Sequence, residues 1–182
     1  GERIFFFNGE QTKEDFKNNL YIQCVDNKFL VKKQFKNSCV EDTFVMPEKA
    51  AELEKIYGNK IFIFNNEVNR NIDTLLYAME EVRRTQKIRV FFLDNFMQIE
   101  IDKDNIYQEQ ANIMEKLRTF AVNNKVHIHL VAHPRKTERF QVRLSLYDIA
   151  GSSNMVNKAY NIISIIRFDN LEKDNKEYKK LE

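Results

Sequence analysis

Short apolar runs most constrain what this chain can fold into: Arg3-Ile-Phe-Phe-Phe7, Lys60-Ile-Phe-Ile-Phe64, Arg89-Val-Phe-Phe-Leu-Asp94 and Val126-His-Ile-His-Leu-Val131. They are apolar mostly on consecutive positions, and a strand of that kind is covered on both sides. Segments with helical spacing separate them. Strands buried on two faces and alternating with helices belong to a parallel sheet. The expected class is therefore α/β, a mostly parallel sheet flanked by helices on both faces. Asn161–Ile166 has the same apolar character and is expected as a further strand.

The intervening segments carry helix signals. Thr12 opens the first, with Glu14 and Asp15 in an acidic first turn that suits the helix dipole. Phe16, Leu20, Cys24 and Val25 recur on one face. Pro47 marks the start of the next helix, with Ala50, Leu53, Ile56 and Tyr57 inward and Gly58 as its stop. Asn71 to Gln86 presents Ile72, Leu75, Leu76, Met79 and Val82 to a core. A polar loop near Glu100–Asn105 precedes a long helix over Ile106–Asn124. The stretch Asn27–Asp42 is compatible with a strand pair or with a continued helix.

Composition bounds the rest. A chain of 182 residues with 43% hydrophobic content suits one globular domain, 1–182. Its net charge of +2 gives no broad polybasic surface, so a nucleic-acid site must be local. Cys24 and Cys39 lack the paired spacing of a zinc site and read as structural thiols of a reducing cytoplasm. No apolar run approaches the roughly 20 residues of a membrane helix, and no signal peptide opens the chain. A soluble, cytoplasmic protein without membrane contact is expected. Both ends read as cuts in a larger protein, and Leu181-Glu182 as either a cloning scar or native sequence.

Parallel sheets bind ligands beyond the carboxyl ends of their strands. Glu10, Asp94 and His133 all fall at or just past such ends. Asp94 can hold Mg²⁺ through the ion's water shell, or merely cap its strand. Glu10 can orient or deprotonate a water, or be a solvated turn residue. His133 can donate to a phosphate, or be structural. His127, His129 and His133 form His-x-His-x₃-His, but the first two fall mid-strand, away from the ligand-binding end. Arg135, Lys136, Arg139 and Arg143 concentrate positive charge in the following loop, which can grip a nucleic-acid backbone or remain a solvated loop. Gly151, in Asp148-Ile-Ala-Gly-Ser-Ser153, permits a close backbone approach.

In order along the chain these pieces resemble the RecA-like ATPase domain of replicative hexameric DNA helicases, the DnaB-type family with phage primase-helicases and Twinkle. Phe5-Phe-Phe-Asn-Gly-Glu10 resembles the strand ending in the family's catalytic glutamate, and Val90-Phe-Phe-Leu-Asp-Asn95 its Walker B strand. Val131-Ala-His-Pro-Arg-Lys136 is similar to the Twinkle-like phosphate-sensing motif. Asp148–Ser153 with Asn161–Arg167 resembles the last helicase motif. The resemblance spans nearly the whole chain. It implies Glu10 as water-activating base, Asp94 as the Mg²⁺-linked carboxylate and His133 as γ-phosphate sensor, with no protein ligand directly on the metal. ATP and Mg²⁺ would be the cofactors. Arg135, Lys136, Arg139, Arg143 and Gly151 would face single-stranded DNA in the channel of a hexameric ring, with an attached or partner primase. The setting would be the cytoplasm of a bacterial or phage-infected cell, at the nucleoid.

One part of the pattern is missing. A P-loop needs G-x-x-x-x-G-K-[ST], and none of Gly1, Gly9, Gly58 or Gly151 begins one. In this family the motif precedes the glutamate strand, so the chain reads as a partial P-loop NTPase core, inactive by itself. Arg167 lies too near the preceding strand to serve as the family's arginine finger. Two other classes remain open at this stage. One is a RecA-like nucleic-acid-binding or assembly module without ATPase activity; the other is a metal-dependent hydrolase using Asp94 with the three histidines.

Overall fold

A computed structural model describes residues 2–34, 41–65, 70–101, 103–134, 148–149 and 154–165. The main sheet is built from β1 (Ile4–Asn8), β4 (Ile61–Ile63), β5 (Val90–Asp94) and β6 (His127–Leu130), with phenylalanines concentrated in β1 and β5. Their order is β4-β1-β5-β6, and every pairing is parallel. The register sets Phe5 between Phe62 and Phe91, Phe6 between Ile63 and Phe92, and Asn8 beside Asp94. The sheet is that of an α/β protein, as the apolar runs imply.

Because side chains alternate along a strand, this register sorts the aromatic rings onto two faces. Phe5, Phe7, Phe91 and Leu93 are at most 3% exposed on one face. Phe64 packs on Phe5 and Phe7, and Phe120 meets Phe91 edge-on at 5.9 Å. Each fully buried ring contributes about 1.5–3 kcal/mol. On the opposite face Phe6 meets Phe16 at 5.2 Å and Phe92 at 4.8 Å, and Phe92 stacks on His129 at 4.4 Å. Phe16 belongs to α1 (Lys13–Ile22) and Phe120 to α4 (Ile106–Asn124), so helices cover both faces.

The helix ends follow local chemistry. Thr12 caps α1 by accepting the Asp15 amide, Pro47 stands at the start of α2 (Pro47–Tyr57), and Asn71 caps α3 (Ile72–Gln86) by accepting the Thr74 amide. Ile72, Leu75 and Met79 are the buried residues of α3. Two inward assignments need correction. Helix α1 ends at Ile22, which leaves Cys24 exposed beyond its Gln23 cap, and Ile56 of α2 is 44% exposed. Cys39 lies outside the described residues.

The ambiguous stretch after α1 is a strand pair. A 3-10 turn at Asn27–Phe29 leads to β2 (Leu30–Gln34), which pairs antiparallel with β3 (Glu41–Val45). Tyr21, Val45 and Leu53 form a small core between α1, this hairpin and α2. We call this region the annex.

The chain divides into two compact units, Gly1–Glu100 with Phe120–Val131, and Ile101–Thr119 with Ala132–Glu182. In the second, α4 carries a buried stripe of Gln110, Ile113, Met114 and Leu117. Lys158 of α5 (Asn154–Lys158) binds Glu115 at 2.6 Å, and Arg118 lies over the Tyr160 ring. Residues 161–165 form no strand, contrary to the expectation for Asn161–Ile166; Ile163 is 81% and Ile165 89% exposed. A strand exists only through a paired ladder, and apolar character alone does not supply the partner. Among the described residues no helix is long and apolar enough to cross a membrane.

Candidate active site

Parallel pairing of β1 with β5 brings their carboxyl ends together. The ladder runs one residue past β1, where the Gly9 amide donates to the Asp94 carbonyl at 2.7 Å. Chain reversal then begins at Asn8, which is 5% exposed. Its Oδ1 accepts the amides of Glu10 (3.0 Å) and Gln11 (3.2 Å). This side-chain turn holds the backbone of Glu10 just outside the sheet edge. Gly9 is required for a spatial reason: a Cβ there would collide with Cβ and Cγ of Gln98.

On β5 the side chain of Asp94 stands at the same edge, in register with Asn8. The next residue, Asn95, is 1% exposed and joined to Asp94 by a cis peptide bond. Its Nδ2 donates to Glu10 Oε1 at 2.5 Å, while its Oδ1 accepts the Met97 amide at 2.8 Å. The 3-10 turn Phe96–Gln98 that follows is anchored to β6, because the Phe96 amide donates to the Val131 carbonyl. Arg70 closes the edge from another loop, with Nη1 donating to the Gly9 carbonyl at 3.3 Å and Nε 3.9 Å from a Glu100 oxygen.

Of the residues singled out in the sequence, Glu10 and Asp94 thus come to one edge, linked through Asn95. His133 belongs to the second unit, where it is exposed beside Pro134, which bridges to Ile149. His127 and His129 are the first and third residues of the four-residue β6 and lie on one face of it, with ring centroids 4.4 Å apart. Desolvation of the ring, and then the charge of His127, push His129 below the usual imidazole range. No group of three or more His, Cys, Asp or Glu gathers as a metal-binding set among the described residues. Arg135, Lys136, Arg139, Arg143, Gly151 and Arg167 lie outside the described residues.

Asn95 and Arg70 escape a reading of the sequence alone. Their partners are 85 and 61 positions away, so only strand pairing reveals them. The one sequence cue is that Asn95 directly follows the strand-end Asp94.

A buried amide aiming one carboxylate, beside a second carboxylate at the edge of a parallel sheet, suits a hydrated divalent cation and a water nucleophile. No family model matches the sequence, and no curated protein matches it. A solved structure described as an ATPase domain superposes with a TM-score of 0.64 over 87% of this chain, at 16% identity. This chain spans 57% of the length of that one. At this identity the likeness is one of architecture alone, an α/β fold with a mostly parallel sheet and helices that resembles that domain.

Proposed function

We propose that this chain is part of the motor domain of a replicative DNA helicase, which couples ATP hydrolysis to translocation on single-stranded DNA and duplex unwinding. The observation that carries the reading is the pairing of β1 with β5, which sets Glu10 and Asp94 at one sheet edge. The architectural likeness to an ATPase domain supports it.

In this proposal Asp94 holds the Mg²⁺ of a bound nucleotide through the ion's water shell. Bound Mg²⁺ supplies neutralisation of charge on the phosphate oxygens. Glu10 orients the attacking water and accepts its proton. His133 donates to the γ-phosphate and passes its presence to the loop beyond, where Arg135, Lys136, Arg139, Arg143 and Gly151 contact the DNA backbone. Phosphate contacts of that kind position a strand without reading its bases. The sequence contains no G-x-x-x-x-G-K-[ST] segment, so in this proposal the phosphate-cradling loop and the hexameric ring would be those of a longer parent protein.

Asp94→Asn in the full-length protein should reduce DNA-stimulated ATP hydrolysis roughly 100-fold or more and abolish unwinding. Circular dichroism and the thermal midpoint should stay close to wild type, because the side chain sits at the sheet edge and not in its core. Unwinding at wild-type rate by this variant would remove the helicase reading.

A further inference from the structure

We infer that Asn95 is a positioning residue for Glu10, an inference that rests on the proposed role of Glu10 as base. An amide side chain can present either its nitrogen or its oxygen to a neighbour, and only the nitrogen can donate to a carboxylate. Here that choice is forced. The Met97 N–H occupies Asn95 Oδ1 at 2.8 Å, so Nδ2 must point the other way, where it meets Glu10 Oε1. The amide cannot turn over without placing oxygen against the carboxylate and nitrogen against an N–H.

Burial strengthens the arrangement. Asn95 is 1% exposed, so water does not compete freely for its donor, and a donor bonded to an ionised carboxylate is stronger than a neutral pair. Its backbone is held on both sides, by the β5 ladder before it and by the Phe96 amide on the Val131 carbonyl after it. Glu10 lies in a loop two residues beyond β1, and its backbone is set by the Asn8 turn. The end of β5 therefore aims a side chain carried by the loop after β1. A general base contributes only when its oxygen is within reach of the proton it takes, so losing this aim costs turnover and leaves nucleotide binding intact.

The test uses Asn95→Asp, Asn95→Ala and Glu10→Gln in the full-length protein, with steady-state ATP hydrolysis on single-stranded DNA. Asn95→Asp keeps the shape and the acceptor for Met97 but removes the donor to Glu10. Asn95→Ala removes both. If Asn95 positions Glu10, Asn95→Asp lowers kcat about 10- to 100-fold, at least as far as Asn95→Ala, with KM for ATP within about threefold. The Asn95→Asp/Glu10→Gln double variant is then no slower than Glu10→Gln alone, since both act through one carboxylate.

A purely structural Asn95 gives the reverse order, with Asn95→Asp near wild type and only Asn95→Ala impaired and less stable. That outcome overturns the inference, as does an additive double variant. Wild-type turnover by Glu10→Gln would overturn the role of Glu10 itself. Loss in Glu10→Gln with wild-type kcat in Asn95→Asp would sink only the positioning role.

Discussion

At the carboxyl edge of the sheet, Glu10 is bonded by an Asn95 amide that is 1% exposed; in the annex, Glu54 is bonded by Tyr21 and Lys17, its side chain 47% exposed. Hydrogen bonds from Lys17 and then Tyr21 hold Glu54 below the usual carboxylate range, and burial followed by the bond to Glu54 pushes the Tyr21 phenol up. These annex charges satisfy one another across the seam between α1 and α2. A cleft of about 300 Å³ lies along that seam, lined in part by Lys17, Tyr21, Glu54 and Phe62. Glu54, the one carboxylate in its lining, is already bonded by Lys17 and Tyr21. At the sheet edge the same kind of bond ends on a carboxylate that β1 delivers beside Asp94. The difference lies in what each network is anchored to: helix surfaces in the annex, strand ends at the edge.

Substitution should separate the two regions by readout. The largest effect is expected at the edge, where loss of Glu10 or Asp94 should remove turnover and leave the fold in place. Glu54→Gln should do the opposite, leaving ATP hydrolysis unchanged and lowering stability by less than about 1 kcal/mol, because solvent screens a half-exposed pair. A carboxylate with a depressed folded-state pKa stabilises above its unfolded value and loses that contribution as pH falls through the folded one. The gap between Glu54→Gln and wild type, followed by thermal unfolding, should therefore close on acidification. A gap that persists at low pH would mean that packing, not charge, holds the annex seam.

The smallest effect concerns the face of the sheet that carries Phe6 and Phe92. His129 stacks on Phe92, and its lowered pKa means that the folded state resists the proton. Stability is unaffected above the ordinary histidine range and declines as pH falls through it. His129→Phe keeps a ring against Phe92 and should flatten the decline in thermal midpoint between about pH 7 and 5. An unchanged slope would assign that decline to other groups.

What the sequence discloses depends on how local the cause is. Thr12, Pro47 and Asn71 act on amides within a few residues or on their own φ, so the starts of α1, α2 and α3 are legible. The apolar runs disclose β1, β4 and β5 because burial on both faces leaves a mark at every position. Asn161–Ile166 carries the same mark, yet residues 161–165 form no strand, since pairing is a property of two segments and a run describes one. The β2–β3 hairpin is equally readable as helix for that reason. At the candidate site, Asp94 stands out as the polar residue ending an apolar run, and Glu10 as a carboxylate just past another. Asn95 and Arg70 do not, because their roles exist only once β1 lies against β5.

Whether this edge is a hydrolytic site is tested most directly by ATP turnover of Glu10→Gln in the full-length protein. Single-turnover phosphate release on single-stranded DNA, measured alongside nucleotide affinity, should show binding retained and hydrolysis slowed about 100-fold or more. Phosphate release within about threefold of wild type would contradict the account.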